Sequence, residues 1–476
     1  MDVYLVASTL PTLMLSLLAA GLNICIIPVF VAHRAQGDET GAYATANSLL
    51  IILGVILAFI IGIGIIASPW LIRVMAPGLK PEQITDGVHL FRLLLPTVLI
   101  YGLANLLAGV YYARRKPFLP ALNPLLRAAG LLTGVILFPS SGILALAYGD
   151  LIGTGLGLLL LAQDYIRNRL FRFWDRLWTP GVFQVAAVLG PWFIGALVGQ
   201  FNPVVERYLG SNLKEGSISF MGYAYLIISL SVTVLTKGLS LTLLPIQSEM
   251  VADHQTESLR NLTGRGIRGL LLVIFPIEAI FILFGFPLIS LLLERGAFDA
   301  TASQGTYLAL LGYMGAFLAL PMGVVLTNTF YAYRDTITVA RIAILGFIFN
   351  VICDLLLVGR LGPTGLAIGF SLTAILNATI MVFVLDRRLG RIRWWNNSIW
   401  LGFLACILSG GVSVIISKQI TLVHLSGRWE LLIQTGIGMT VFASSYFLLL
   451  YFSNILKNEF SFVLKLTNFS IRKKTV

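Results

Sequence analysis

Two stretches of this chain decide its fold: VYYARRKPFLP, residues 110–120, and TFYAYRDTITV, residues 329–339. Each ends a long apolar run with a charged turn, and the two lie about 220 residues apart. Upstream of them, Pro69 is echoed by Pro287 at nearly the same separation. Self-similarity at a fixed offset indicates an internal repeat. Two similar hydrophobic halves in one membrane chain are typical of transporters whose substrate site lies between the halves.

The composition indicates a membrane protein. Hydrophobic residues make up 57% of the 476 residues and charged residues only 11%, whereas a soluble domain carries about 25% charged residues. Apolar runs of bilayer length recur, and they are continuous rather than alternating, which favours helices over a barrel. We therefore predict an all-α polytopic membrane protein. Its thirteen predicted spans are 3–32, 43–72, 88–113, 121–138, 142–163, 181–209, 217–246, 264–293, 302–332, 337–358, 364–385, 398–417 and 430–453.

The net charge of +12 does not indicate nucleic-acid binding, because the basic residues cluster in alternate loops. About 22 of the 33 basic residues fall on one side of the predicted membrane, which marks that side as cytoplasmic. This distribution predicts a cytoplasmic C-terminus and an external Met1. Since no signal segment precedes the first span, we expect a further helix upstream of Met1. The alternative is a first span that inserts in reverse.

The loops divide the chain into three predicted regions. Residues 1–180 form a first helical bundle that ends in a basic and aromatic linker, DYIRNRLFRFWDRLW, expected to lie at the cytoplasmic interface. Residues 181–395 form the second bundle. Residues 396–476 have no clear counterpart in the first half, and we interpret them as an appended helix pair with a basic tail.

No motif for an enzyme or a cofactor is present. Cys25, Cys353 and Cys406 all fall inside spans and form no CxxC pattern, so we expect no disulfide and no zinc site. The sequence GTGLG at 153–157 also lies within a span, where glycines permit close helix packing more often than they bind phosphate. Without an ATP site, transport would depend on an ion gradient, the membrane potential or the substrate gradient.

Four motifs in unchanged order resemble the MurJ-type lipid II flippases: LLPTVLIYGLANLLAGVYYARRKPFLPALNPLL at 94–126, LLLERGAFDA at 291–300, FYAYRDT at 330–336 and GPTGLAIGFSL at 362–372. These belong to the superfamily of Wzx-type polysaccharide flippases and MATE drug exporters. The resemblance implies a V-shaped, alternating-access fold of two bundles. It also implies transfer of an undecaprenyl-diphosphate-linked sugar from the inner to the outer leaflet. The family normally has fourteen helices, and the match begins at the second.

This chain departs from the family at the residues that meet the substrate diphosphate. The positions expected to carry paired arginines are Leu15 and Ser16, and the position expected to carry glutamate is Ala20. The usual YADRL of the eighth helix reads YAYLI at 223–227, so that arginine is also missing. The departures imply a related lipid-linked glycan as substrate, or loss of transport.

With the family arginines missing, the other charged residues inside the spans are the candidates for the functional site. An ionisable residue in a span is costly and usually faces a cavity. Lys237 lies deep in its span, so we predict that it binds the headgroup phosphate; the alternative is a lysine that snorkels to the interface. Arg127 lies a few residues inside its span from the predicted cytoplasmic side. We predict a headgroup contact there too, with snorkelling as the alternative.

Oxygen-bearing side chains predict coupling to a small cation. Asn350 and Asp354 share one helix face, and Glu206 adds a third oxygen donor near the end of a span. Such hard ligands suit Na⁺, although a carboxylate could instead take a proton. Glu278 lies mid-span beside Pro276 and is a second candidate proton site. The alternatives are local pairs, such as Glu206 with Arg207.

The charged turns between the predicted spans are candidates for the gates of the transporter. The equivalent cytoplasmic turns of the two repeats carry Arg114 and Arg115, and Arg334 and Asp335. Glu294 and Arg295 of the ERGAF motif lie on the predicted outer side. The family resemblance implies that the cytoplasmic turns pair across the closed inward side. The simpler interpretations are the positive-inside signal and a local ion pair.

Together these features predict a bacterial inner-membrane flippase that carries a polyprenyl-diphosphate-linked saccharide such as lipid II. Its expected surroundings are the lipid bilayer and enzymes of cell-wall or polysaccharide synthesis. Two rival functions stay open: a MATE-type, cation-coupled exporter of small molecules, and a non-transporting membrane scaffold of glycan synthesis. Neither nucleic acid nor a tightly bound cofactor is expected, apart from coupling Na⁺ or H⁺.

Overall fold

A computed structural model describes residues 2–114, 116, 118–167, 170, 178–185, 201–333, 335–419, 428–453, 455 and 459. The chain clusters into two compact units, which end and begin at Glu215 and Gly216. Unit 1 holds α1 (Asp2–Ala35), α2 (Glu39–Met75), α3 (Pro81–Ala113), α4 (Phe118–Ala121), α5 (Asn123–Leu137), α6 (Leu144–Arg167) and α7 (Asn202–Gly210). Unit 2 holds α8 (Ser217–Ala252), α9 (Thr256–Leu293), α10 (Ala300–Gly312), α11 (Met314–Ala332), α12 (Thr336–Leu361), α13 (Pro363–Leu389), α14 (Asn397–Gln419) and α15 (Arg428–Phe452).

The prediction of an all-α polytopic membrane protein is confirmed. Eleven of the described helices are long and apolar enough to cross a membrane by length and composition. The predicted spans coincide with these helices and with α1, except for two. Most of the span at 181–209 lies in a part of the chain that the structure does not describe, and the span at 302–332 consists of two helices.

The break between α10 and α11 has a local cause. The Ser371 hydroxyl, from α13, donates to the Gly312 carbonyl oxygen at 2.6 Å and accepts from the Ala316 N–H at 3.0 Å. These two backbone groups are four residues apart and would bond each other in an unbroken α-helix. A side chain inserted into the backbone ladder interrupts the helix, and an apolar run seen alone does not show this.

The internal repeat is visible in the backbone. Gly142, before α6, has φ 54° and ψ −126°, and Gly362, before α13, has φ 57° and ψ −135°. The two glycines lie about 220 residues apart, the offset predicted from the sequence. Positive φ favours glycine, so both repeats use the same turn. By this offset α5 corresponds to α12 and α6 to α13.

In unit 1, α3 packs against α1, α2 and α6, and α5 packs mainly against α6. The α5–α6 crossing is made of glycines: Gly130 and Gly134 on α5 face Gly149 and Gly153 on α6. A Cβ atom at any of these four positions would collide with the opposing backbone. The interpretation of the GTGLG sequence as helix packing agrees with Gly153, in this crossing, and with Gly157, which faces Asn123, whereas Gly155 faces open space.

In unit 2, the appended pair α14 and α15 packs against α9. Pro276 has no N–H, so it leaves the Leu272 carbonyl without its helical partner. The Tyr446 hydroxyl, from α15, donates to this carbonyl at 2.8 Å. The predicted boundary near residue 180 stays a prediction, because residues 186–200 lie outside the described chain; the first compact unit continues to Glu215.

Candidate functional site

A polar stripe on α8 contains the predicted headgroup lysine. Tyr225, Ser229, Thr233 and Lys237 recur every four residues and so lie on one face of the helix; we call them the α8 stripe. Lys237, Thr233 and Tyr225 are exposed, and Ser229 is half-buried. Lys237 is fifteen residues from the last residue of α8, or about 22 Å along the helix axis. The span predicted from the sequence ends at residue 246, nine residues or about 14 Å beyond Lys237. That is far for a lysine to snorkel, so its ammonium group requires a polar surrounding within the membrane.

Tyr225 is the aromatic residue at one end of the α8 stripe. It lies within YAYLI at 223–227, where the family resemblance leads us to expect the more polar YADRL. Tyr225 packs with Tyr313 and Phe370, and each pair of ring centroids is 5.8 Å apart. Tyr225 is 44% exposed, so part of its side chain is accessible. The stripe therefore combines one cation, two hydroxyls and one aromatic ring.

On α1, the positions expected to carry arginine lie on a helix face that bears hydroxyls. Ser16 is exposed and donates to the Leu13 carbonyl at 2.8 Å, whereas Leu15 is buried. Thr12, one turn before Ser16, is also exposed. Unit 1 therefore presents neutral hydroxyl groups on this face.

Asn350 and Asp354 lie at the crossing of α12 with α13 and are 1% and 0% exposed. The Asn350 amide donates to Asp354 Oδ1 at 3.3 Å. Gly369 of α13 faces this carboxylate so closely that any side chain at this position would collide with it. Thr373 follows Gly369 by one turn and is also buried. The predicted pair thus lies together in a buried polar layer within the membrane.

The other predicted oxygen donors lie elsewhere. Glu206 is half-buried on the short helix α7 of unit 1, whereas Asn350 and Asp354 belong to unit 2. Glu278 is half-buried in the middle of α9. Within the described residues, no group of three or more His, Cys, Asp or Glu side chains is arranged to hold a metal ion. The three-residue sodium site therefore stays a prediction.

The structure gives Arg127 a partner within unit 1, and its contact with a headgroup stays a prediction. Its guanidinium forms two bonds to the Asp150 carboxylate of α6, at 2.5 and 3.1 Å, and lies over the Tyr101 ring of α3 at 5.6 Å. Asp150 is six residues from the first residue of α6, whereas Arg127 is four residues from the first residue of α5. The close crossing of α5 with α6 brings the two side chains together, which the position of Arg127 in its own span does not show.

The predicted gate residues have local partners. Asp335 caps α12 by accepting from the Thr338 N–H at 3.0 Å, and it pairs with Arg388 of α13 at 2.5 Å. The Thr338 N–H, followed by Arg388, holds the pKa of this carboxyl below its ordinary value. Arg114 lies over the Tyr43 ring, with 5.9 Å between the guanidinium carbon and the ring centroid.

On the predicted outer side, Glu294 accepts from the hydroxyls of Ser290 and Ser303 at 2.6 and 2.9 Å. Arg295 donates to the Leu292 carbonyl at 2.8 Å. Arg115 and Arg334 are among the residues whose structure is not described. The gating roles of all six residues stay predictions.

Sequence reasoning also missed a buried charged contact near the C-terminus. Arg268 of α9 pairs with Glu459, near the C-terminus, at 3.0 Å, and both side chains are buried. The Asn396 amide donates to the second carboxylate oxygen at 2.9 Å. The only sequence signal was an isolated glutamate within a basic tail, and nothing identified its partner.

Comparison with known proteins identifies the family. The family described as "Lipid II flippase MurJ" matches residues 1–451. A lipid II flippase MurJ of Burkholderia cenocepacia is 25% identical over 81% of this chain and 77% of its own length. A probable lipid II flippase MurJ of Bdellovibrio bacteriovorus is 27% identical over 93% of this chain and 84% of its own length.

Solved structures agree on the fold. A lipid II flippase MurJ in an inward closed conformation aligns with a TM-score of 0.77 and 19% identity, over 96% of this chain and 93% of that one. An inward-facing MATE-family multidrug resistance transporter of the MOP superfamily aligns with a TM-score of 0.72 and 18% identity, over 82% and 91%. The matched family consists of multi-pass transporters of the bacterial inner membrane, not enzymes. This chain belongs to the lipid II flippase MurJ family.

Proposed function

We propose that this chain moves a polyprenyl-diphosphate-linked saccharide, lipid II or a close relative, from the inner to the outer leaflet by alternating access. Membership of the family supports the substrate class. The observation that carries the proposal is Lys237, an exposed cation about 14 Å before the end of its predicted membrane span. A buried or membrane-embedded cation is retained where it serves a function, and a phosphate group is its natural partner.

In this proposal the α8 stripe binds the headgroup. Lys237 supplies the positive charge, and Ser229 and Thr233 line the path beside it. From Tyr225 to Lys237 the stripe extends about 18 Å along the helix, which is room for a diphosphate and at least one sugar. A lysine is a point charge, whereas an arginine fork binds two phosphate oxygens in a fixed geometry. The site should therefore recognise charge more than shape and tolerate several glycans.

Arg127 has a different proposed role from Lys237. Because Asp150 already holds two of its nitrogens, a headgroup phosphate would have to displace a buried carboxylate. We therefore assign the primary headgroup contact to Lys237 and only an accessory contact to Arg127.

We further propose cation coupling at Asn350 and Asp354. The carboxylate and amide oxygens are hard ligands of the kind that Na⁺ prefers, and the pair is fully buried. Glu206, on α7 of unit 1, is a separate candidate for ion coupling, and Glu278 is the candidate for a proton-coupled alternative. The gate residues Arg114, Arg115, Arg334 and Asp335 would close the inward side, and Glu294 with Arg295 the outward side.

The proposed orientation places the C-terminus in the cytoplasm and Met1 outside, as the charged loops indicate. The substrate is made at the inner leaflet and used at the outer one. Enzymes of cell-wall or polysaccharide synthesis are therefore the proposed partners on both sides.

Complementation tests the function. A bacterium depleted of its own lipid II flippase would express the wild-type chain, Lys237→Ala, Lys237→Arg or the control Lys214→Ala, which removes an exposed lysine between α7 and α8. We expect growth with the wild type, Lys237→Arg and Lys214→Ala, and loss of growth with Lys237→Ala. Growth with Lys237→Ala at normal protein levels would contradict the headgroup role. No growth with any correctly inserted variant would exclude lipid II as substrate.

A further inference from the structure

A polar contact that the sequence did not indicate joins two turns on the predicted outer side of the membrane. The Lys80 ammonium donates to Glu215 Oε2 at 2.9 Å, and the Gln83 amide donates to Glu215 Oε1 at 2.9 Å. Lys80 and Gln83 lie at the start of α3, whereas Glu215 lies between α7 and α8. Both oxygens of one carboxylate are therefore bound by groups far away in the sequence. We call these three residues the Glu215 cluster.

The start of α3 is arranged to present the two donors. Lys80 is the N-cap residue of α3, and its backbone N–H donates to Gln83 Oε1 at 3.0 Å. This bond uses the amide oxygen of Gln83 and leaves the amide nitrogen to donate to Glu215. The hydrogen bond from Lys80 holds the pKa of the Glu215 carboxyl below its ordinary value, and the same bond raises the pKa of the Lys80 ammonium. Both groups are therefore charged at neutral pH.

A second contact joins the same two turns. The Gly78 N–H donates to the Ser211 hydroxyl at 3.3 Å. A Cβ atom at Gly78 would collide with the Ser211 carbonyl oxygen, so the close approach of the two backbones requires glycine. Gly296 is the counterpart of Gly78 in the second repeat, at the same offset as Pro69 and Pro287, and its Cβ position faces open space. The close contact is therefore not a general property of this turn in both repeats.

The Glu215 cluster joins parts of the chain that the sequence assigns to different bundles. The predicted second bundle begins at residue 181, so Glu215 belongs to it, whereas Lys80 belongs to the first. In the structure, residues 201–215 pack within unit 1, where α7 contacts α1 and α2. Only Gly216 separates Glu215 from the start of α8, the helix that carries the α8 stripe. A contact that fixes Glu215 therefore restrains the outer end of α8 through the chain itself.

The Glu215 cluster has the strength of a contact that can open. The Lys80 side chain is 70% exposed and the Glu215 side chain 65% exposed. An exposed ion pair contributes little to stability and is screened by salt. A contact that breaks in every transport cycle should be of this kind, because a tight one would hold the carrier in a single conformation.

We propose that the Glu215 cluster, together with the contact at Gly78, is a latch that keeps the predicted outer side closed and opens to release the headgroup. This inference rests on the alternating access proposed above and adds a second outer contact to that proposed for Glu294 and Arg295. The latch residues are positioning residues, which bind no substrate and shift the balance between conformations. Weakening the latch should populate the outward-open conformation, because a contact made in one conformation stabilises that conformation.

Thiol accessibility from outside measures the opening. The reporter is a single cysteine introduced by Thr233→Cys on the α8 stripe, in full-length protein whose own cysteines are replaced by alanine. In intact spheroplasts, an impermeant thiol reagent should modify this cysteine about two- to fivefold faster when Lys80→Gln or Glu215→Gln is added. The exchanged pair, Lys80→Glu with Glu215→Lys, should bring the rate back toward that of the wild type. Lys214→Gln removes a neighbouring exposed lysine and should not change the rate.

Gly78→Ala tests the latch without a change of charge. The added methyl group would collide with the backbone of Ser211, so we expect a larger increase in the modification rate than in either charge variant. Gly359→Ala is the matched control, since Gly359 lies near the predicted outer end of α12 and its Cβ position faces open space. Melting temperatures in detergent show which variants are folded, and the exposed charge variants test the latch even if Gly78→Ala does not fold.

The outcomes separate the latch from the proposed function. Modification at the wild-type rate in Lys80→Gln, Glu215→Gln and Gly78→Ala alike would overturn the latch and leave alternating access intact. Faster modification that the exchanged pair does not reverse would overturn the pairing of Lys80 with Glu215. If the reporter cysteine at residue 233 were not modified from outside in any folded variant, alternating access and the latch would be overturned together.

Discussion

At the scale of single residues, the Arg127–Asp150 pair shows how an arginine inside a membrane is kept. Asp150 is 4% exposed in its side chain and Arg127 is 33% exposed. The Tyr101 ring covers part of the guanidinium. A buried ion pair stabilises little compared with apolar residues of the same size, but one partner left alone is costly. Each charge is therefore needed because the other is present, and the pair itself is not required for unit 1 to fold.

This pair predicts a non-additive pattern of stability. We expect Arg127→Leu and Asp150→Leu each to lower the free energy of unfolding by about 3 kcal/mol, because each leaves an uncompensated charge. The double variant should be markedly more stable than either single variant. Thermal melting of the purified proteins in detergent measures this. Additive losses in the double variant would show that the two charges do not depend on each other.

Asp335 makes a second residue-scale prediction. Its carboxylate caps α12 and pairs with Arg388, so Asp335→Ala should lower stability by about 1 kcal/mol. Asp335→Asn keeps a good capping side chain and should cost less. Because the native pKa is lowered, the carboxylate stabilises the protein at neutral pH, and this contribution is lost as the pH falls below about 4.

The measurement is the difference in melting temperature between the wild type and Asp335→Ala as a function of pH. The difference should be constant near neutrality and shrink at acidic pH. Arg388→Gln is the matched control, since it removes the ion pair and leaves the cap. A difference in melting temperature that grows as the pH falls would contradict the lowered pKa assigned to the Asp335 carboxyl in the folded protein.

At the scale of elements, α9 shows how the appended helix pair is positioned. Pro276 leaves the Leu272 carbonyl without a helical donor, and the Tyr446 hydroxyl replaces it. We expect Tyr446→Phe to lower the free energy of unfolding by about 1–3 kcal/mol, the cost of a buried unpaired carbonyl. In a Pro276→Ala background the N–H of residue 276 returns to Leu272, so Tyr446→Phe should then cost much less. Equal costs in both backgrounds, by thermal melting, would refute the explanation.

The helices also show which structural elements could be predicted from the sequence and which could not. Continuous apolar runs located the membrane helices, because hydrophobic length alone decides whether a segment can span a bilayer. The break at Tyr313 was not predicted, because it depends on the Ser371 hydroxyl of another helix. Gly153 of α6 was correctly assigned to packing, but its partners on α5 became known only from the crossing.

At the scale of the whole molecule, the charged loops predict one orientation. Single cysteines introduced by Ala297→Cys, between α9 and α10, and Gln255→Cys, between α8 and α9, would be tested in protein otherwise free of cysteine. In intact spheroplasts we expect an impermeant thiol reagent to modify the first and to reach the second only after permeabilisation. The reverse pattern would invert the topology and with it the proposed direction of gating.

The sequence alone was enough to predict the class, the repeat, most of the membrane helices and the family. All four depend on composition, hydrophobic length and spacing, which are local properties of a chain. The pairing of Asn350 with Asp354 was also predicted, because residues four apart share a helix face. The partners of Arg127, Asp335 and Arg268 became known only from the tertiary structure. These depend on how separate helices cross, and side chains far apart in sequence meet only where packing brings their helices together.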